Sequence, residues 1–198
     1  MPDIILRNEK GDTLTHSELD GNFTNLDTRV AKPDKIRGGW ANYSDVTTAT
    51  TPISVTGGST WYKITNDAAG AFTTEDYLPE GVTSLWDEVN GQFDFTELSL
   101  GDMINLNMLA EITTSSVDQE VFYRFSTGIG SSTPFIVPAP YAQYKAVGTY
   151  SVSINVHLPV QIADFRDYPT EVQINSGNDC TFKVTGFYIE VLLRGEAS

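Results

Sequence analysis

The chain has 198 residues, 40% of them hydrophobic and 11% aromatic, enough to bury a substantial core in one main domain with an appendage. Its 12 Lys and Arg against 26 Asp and Glu give a net charge of −14 with no basic run, which argues against nucleic-acid binding, since that begins with a basic footprint over phosphates. The single cysteine, Cys180, leaves no intrachain disulfide to form and reads as a small buried hydrophobe in a strand. Met1–Leu6 is too short for a signal peptide or a membrane span, and the longest nearly apolar run, Phe187–Leu193, is broken by Glu190. The expectation is synthesis in a cytoplasm with no membrane insertion.

Ile4, Ile5 and Leu6 ahead of Asn8-Glu-Lys-Gly11 predict a short extended arm and a turn. Thr15 followed three residues later by Glu18 forms a capping box, whose hydroxyl and carboxylate satisfy two backbone N–H groups at a helix start. A helix is therefore predicted from His16. Leu14 and Leu19 supply a hydrophobic staple, and Pro33 forbids continuation. Leu19, Phe23, Leu26 and Val30 are spaced 4, 3 and 4, one narrow a/d stripe that wants a partner helix. About sixteen residues make a rod of roughly 24 Å, marginal on its own in water, and Gly21 weakens it by about 1 kcal/mol. Such a helix forms against copies of itself or against a docking protein; the alternative is an ordinary amphipathic helix lying on its own domain.

The run Gly11-Asp-Thr-Leu-Thr-His-Ser-Glu-Leu-Asp-Gly-Asn-Phe-Thr-Asn-Leu26 resembles a short N-terminal segment shared by many tailed-bacteriophage fibre and virion-surface proteins. That segment has the form Gly-x-x-Leu-Thr-His-x-Glu-hydrophobic-Asp-x-Asn-Phe-x-Asn-Leu. The resemblance implies that Leu14, Thr15, Glu18, Leu19, Phe23, Leu26 and Val30 attach a homotrimeric fibre or decoration-type spike to the particle. It also implies partners among further copies of the chain and the capsid, collar or tail proteins, and a place on the virion surface after synthesis in the bacterial host.

After Pro33, Ile36-Arg-Gly-Gly-Trp40 carries two glycines without helical or strand preference. This places a boundary between an appendage, residues 1–39, and a head, residues 40–198; a tight turn inside one domain is the other reading. From Trp40 onward, short runs of Thr, Val, Ile and aromatics between Gly, Asn, Asp and Pro predict an antiparallel β domain. Pro52–Thr56 and Thr60–Thr65 flank Gly57-Gly-Ser59 as a hairpin. Residues 71–91 are loop-rich. In Met103–Ile112 the residues Ile104, Leu106, Met108 and Ile112 share one face, while Asn105, Asn107 and Glu111 share the other. Tyr150–Leu158 alternates in the same way. Seven to nine short strands and no second helix predict a mainly β protein, an antiparallel jelly-roll sandwich.

In the last strand, within Cys180–Leu193, Phe187, Ile189, Val191 and Leu193 fill one face, and Phe182, Val184, Tyr188 and Leu192 largely fill the other. A strand apolar on both faces needs cover on both, which predicts a subunit interface at Phe187, Ile189, Val191 and Leu193. A buried central strand of a monomeric sandwich is the alternative. Phe182–Leu193 also resembles the closing strand of complement-globular-head and tumour-necrosis-factor-like jelly rolls, and that resemblance implies a threefold axis.

Chemistry is sparse. With two histidines, His16 and His157, no imidazole-based metal site or cofactor is predicted, and neither a Gly-x-Ser-x-Gly elbow nor a phosphate loop is present. No enzyme is expected. Loop aromatics are the better binding candidates, Trp40, Tyr43, Trp61, Tyr77, Trp86, Tyr141, Tyr144 and Tyr168; five of them, Trp40, Trp61, Trp86, Tyr141 and Tyr168, are expected to offer ring faces to a host-surface glycan, as they equally could to a core or a subunit interface. Two functions follow, a structural virion component and a receptor-binding tail-fibre protein that recognises glycan.

Overall fold

The computed structural model describes Thr15, Ser17 and residues 38–194. The chain groups into two units, Met1–Ile36 and Arg37–Ser198. Of the attachment residues, Leu14, Glu18, Leu19, Phe23, Leu26 and Val30 lie outside the described residues, and Thr15 is exposed.

The second unit is an antiparallel jelly-roll β-sandwich. One sheet holds β1 (Gly38–Ser44), β2 (Ile53–Val55), β4 (Thr74–Tyr77), β7 (Met103–Thr114), β11 (Thr149–Pro159) and β13 (Cys180–Leu192), in the order β11-β7-β13-β1-β4 with β2 also on β13. The other holds β3 (Tyr62–Lys63), β8 (Gln119–Thr127), β9 (Phe135–Pro138), β10 (Ala142–Tyr144) and β12 (Glu171–Ser176), in the order β10-β8-β12-β3 with β9 also on β8. A small hairpin of β5 (Trp86–Asp87) and β6 (Gln92–Phe93) reaches β12's leading end through backbone bonds between Phe93 and Thr170.

The strands form where the period-2 pattern is cleanest. In β7, Ile104, Leu106, Met108 and Ile112 are fully buried and Ala110 nearly so, while Asn105, Asn107 and Glu111 face outward. β11 does the same with Val152, Ile154 and Leu158 inside and Ser151, Ser153, Asn155 and His157 outside. Two one-turn helices, α1 (Thr47–Thr50) and α2 (Ala163–Asp167), are too short to leave a periodic signal.

Three sequence expectations are corrected. The first concerns β13. Its pairing with β7 shifts register between Val184 and Gly186, so Thr185 and Gly186 together oppose Leu109. This β-bulge reverses the parity of the strand. Phe182 and Val184 before it, and Phe187, Ile189 and Val191 after it, therefore all face inward and are buried, with Leu193 half-buried beyond them. The cover that seemed to require neighbouring subunits comes from the chain's own second sheet, and Phe187, Ile189 and Val191 are core residues. The strand is a central one, between β7 on one side and β2 then β1 on the other. In the gap between β2 and β1, Thr48 satisfies the strand: Val184 N–H donates to its hydroxyl at 2.8 Å, and Thr48 N–H donates to Asp45 at 2.7 Å.

The second correction is the hairpin at Gly57-Gly-Ser59. β2 pairs with β13 and β3 with β12, so this loop crosses from one sheet to the other. The turn between β12 and β13 holds it there, since Asn175 donates to the carbonyls of Gly58 and Thr60 and Asp179 accepts from Gly57 N–H. Third, Gly38 and Gly39 are strand residues, opposite Leu192 and Val191. Gly39 is needed for close approach: a Cβ there would lie 2.2 Å from the Tyr77 carbonyl oxygen, and β4 could not pack alongside.

Between the sheets lies an aromatic cluster. Phe93 stands edge-on to Trp86 at 4.6 Å, stacks with Phe95 at 5.9 Å and meets Phe187 at 5.2 Å. Trp86 is 6% exposed and donates its indole N–H to the Asn66 carbonyl. It is part of the core and has no ring face to offer a glycan.

Candidate functional site

The outward face of the larger sheet carries ordered rows of aromatic and amide side chains. Strand register sets its rows. In one row Asn42, Tyr188 and Asn107 stand side by side across β1, β13 and β7; in the next, Tyr77, Trp40 and Glu190 stand side by side across β4, β1 and β13. Trp40 and Tyr77 stack with ring centroids 4.6 Å apart and planes 14° from parallel, which matches the roughly 4.8 Å spacing of neighbouring strands. Tyr188 approaches the other side of Trp40 at 5.7 Å. Tyr77 is 57% exposed and Tyr188 38% exposed, so both phenol rings are open to solvent.

Ala71, Phe72 and Thr73, from the loop that runs from Asn66 to Thr73, form one wall of an open, shallow groove of about 630 Å³ over these rings. Its shape comes from polar side chains bonding back to the backbone. Asn42 donates to the Phe72 carbonyl at 2.7 Å, Phe72 N–H donates to the Ser44 hydroxyl, and Gly70 N–H donates to the Ser44 carbonyl. A Cβ on Gly70 would lie 2.4 Å from that hydroxyl oxygen. Phe72 projects from the rim, 79% exposed.

Asp67 anchors the loop from behind. It accepts from the N–H groups of Val46, Thr47 and Ala69 and from the Thr47 hydroxyl, at 2.7 to 3.0 Å. Burial raises its pKa, but these four donors outweigh burial and bring it from 3.8 down to about 2. A depressed carboxyl contributes stability that is complete above its unfolded pKa of about 4 and is lost as pH falls through the folded value. Asp67→Asn should therefore cost about 1 kcal/mol at pH 7, after discounting for solvent screening. It should also flatten the loss of stability between about pH 4 and 2. Urea midpoints at pH 7, 4 and 3 check this, and parallel pH profiles for the two proteins would refute it.

The remaining aromatics expected to contact glycan do not converge. Trp61 lies beneath the Arg124 guanidinium, 4.0 Å from its ring, on the opposite sheet. There Arg124, Gln173, Glu171 and Lys63 form a polar chain. Tyr141 is 64% exposed and stacks on Phe122, while Tyr168 follows α2. Of the five, only Trp40 lies in the groove. Tyr77 and Tyr188 complete it; the sequence reads Tyr77 as a loop aromatic although it ends β4, and it is the bulge that turns Tyr188 outward. Among the described residues, no cluster of His, Cys, Asp and Glu is placed to hold a metal ion. No helix among them is long and apolar enough to cross a membrane.

No family model and no curated protein matches the sequence. Among solved structures, the chain is similar to the PRD1 vertex protein P5, at 12% identity and a TM-score of 0.39 over 81% of this chain and 99% of that one. It is similar to a chain in the structure of infectious bursal disease virus Gx strain, at 10% and 0.39 over 83% of this chain and 34% of that one. It is also similar to Eiger TNF from S. frugiperda, at 7% and 0.37 over 82% and 96%.

Proposed function

We propose that this chain is a structural component of a tailed-bacteriophage virion, seated on the particle through residues 14–30 as a homotrimer, with the β-sandwich facing outward. The observation that carries this reading is the segment Gly11–Leu26, whose pattern is that of virion-surface fibre proteins. Among the described residues, the buried core of the head that follows runs from Ala41 to Val191. On this reading the stripe Leu19, Phe23, Leu26 and Val30 serves assembly. Because Phe187, Ile189 and Val191 are internal, trimer contacts are assigned to that stripe.

Phe23→Ala tests the reading. Losing a buried aromatic anchor costs on the order of 3–5 kcal/mol, whereas losing the cap in Thr15→Ala costs about 1 kcal/mol, which a multivalent seat tolerates. In particles lacking the native protein, Phe23→Ala should be depleted and Thr15→Ala incorporated, as read by mass spectrometry of purified virions. Both heads should keep the wild-type β circular-dichroism signal. Incorporation of Phe23→Ala at the wild-type level would overturn the assignment.

A further inference from the structure

We infer that the groove over Trp40, Tyr77 and Tyr188 is a binding site for a neutral saccharide. This goes beyond the structural role, which needs no ligand.

Three features of the groove point to sugar. First, it offers ring faces. Tyr77 and Tyr188 present open aromatic surface on either side of Trp40, and stacked rings held by strand pairing are already rigid, so little conformational entropy is lost when an apolar sugar face settles on them. Second, hydrogen-bonding groups surround the rings. Asn42 spends its amide N–H on the Phe72 carbonyl and keeps its oxygen as an acceptor. Asn107 accepts from the Ser153 hydroxyl and keeps its NH₂ as a donor. With the Asp76 carboxylate also in the lining, the groove offers a donor and acceptors beside its aromatic rings, which a sugar's hydroxyl groups can use. Third, the size fits. About 630 Å³ falls within the roughly 300–1,000 Å³ of small-ligand sites.

Charge selects the class of sugar. The groove is lined by Asp76 and no Lys or Arg, and the chain carries −14 overall, so uronates, sialosides and sulfated sugars are repelled. Neutral hexose or N-acetylhexosamine units are what remains.

The test applies the full-length chain to an array of neutral and acidic oligosaccharides, followed by tryptophan-fluorescence titration with the neutral oligosaccharide that gives the strongest signal. Binding should be confined to neutral sugars. Tyr77→Ala, which removes an exposed ring at the sheet edge, and Trp40→Ala should each weaken binding roughly tenfold or more. Tyr141→Ala, on the opposite sheet, should leave it unchanged. No neutral sugar bound, binding to acidic sugars alone, or affinity unchanged in both groove variants would each overturn the proposal. So would a wild-type oligomer that either groove variant dissociates, which would make this face a subunit contact. The groove variants should still enter virions, so failure here and failure of the attachment reading are separable.

Discussion

Ile189→Asp is expected to prevent folding of the head, while Tyr188→Asp, one position away, leaves it folded. Ile189 is fully buried, and its loss removes about 1.5–3 kcal/mol of burial. The carboxylate that replaces it has no cation within the core and costs several kcal/mol more. Together these approach the whole stability of a domain, about 5–15 kcal/mol. Tyr188 is 38% exposed on the other face, where a charge stays in water. The same contrast should invert across the bulge. Val184→Asp should be as damaging as Ile189→Asp, and Thr185→Asp should be tolerated, so the intolerant positions run 182, 184, then 187, 189 and 191. Soluble yield and near-UV circular dichroism across this scan decide the matter. A folded, monomeric Ile189→Asp protein would mean that the residue faces a neighbouring subunit after all.

Phe93→Ala should destabilise the head by about 3–5 kcal/mol, lowering the melting temperature by roughly 6–20 °C. Phe93 is fully buried and touches three other rings, Trp86, Phe95 and Phe187, so its removal leaves a cavity walled by rigid side chains that cannot close. It also sits where the hairpin of β5 and β6 meets β12, through two backbone bonds with Thr170 at 2.8 and 3.0 Å. Phe72→Ala is the comparison, because that ring is 79% exposed and its loss should change stability by no more than about 0.5 kcal/mol. Urea unfolding with an unchanged slope measures both. A Phe93→Ala midpoint equal to that of Phe72→Ala would remove the aromatic cluster from the account of stability.

Local alternation made much of this fold legible. β7 and β11 could be assigned inward and outward residue by residue, because an uninterrupted strand obeys a period of two and nothing else. The sandwich class followed from the same pattern. What the pattern could not carry was anything set by a distant partner. The bulge at Thr185 and Gly186 coincides with the change of neighbouring strand from β2 to β1, and Gly186, alone inside the strand pattern, was its one local sign. The loop at Gly57-Gly-Ser59 has the composition of a hairpin, yet Asn175 and Asp179, far along the chain, turn it into a crossover. Among the candidate ligand residues, Trp40 was visible as an aromatic near the start of the head. Its partnership with Tyr77 and Tyr188 was not, since three strands bring these rings together. Trp86 could not be told from a surface tryptophan by composition, and its burial follows from the aromatic cluster around it.

The position of β13 also bears on how the molecule is made. This strand sits in the middle of the larger sheet although it comes late in the chain, and the Thr48 hydroxyl must wait for Val184, 136 positions further on, to accept a hydrogen bond from its N–H. While the ribosome is still producing the intervening residues, β1 and β7 have no strand to separate them, and their inner faces, Ala41 and Tyr43 on one and Leu106 and Met108 on the other, have no finished core to enter. Closure of the sheet is therefore a late event that spans most of the chain, the kind of long-range pairing that folds slowly and exposes strand edges meanwhile. The edges of β1 and β7 that β13 covers stay open until then and can pair with another chain, so aggregation is expected above all of chains stopped short of Cys180.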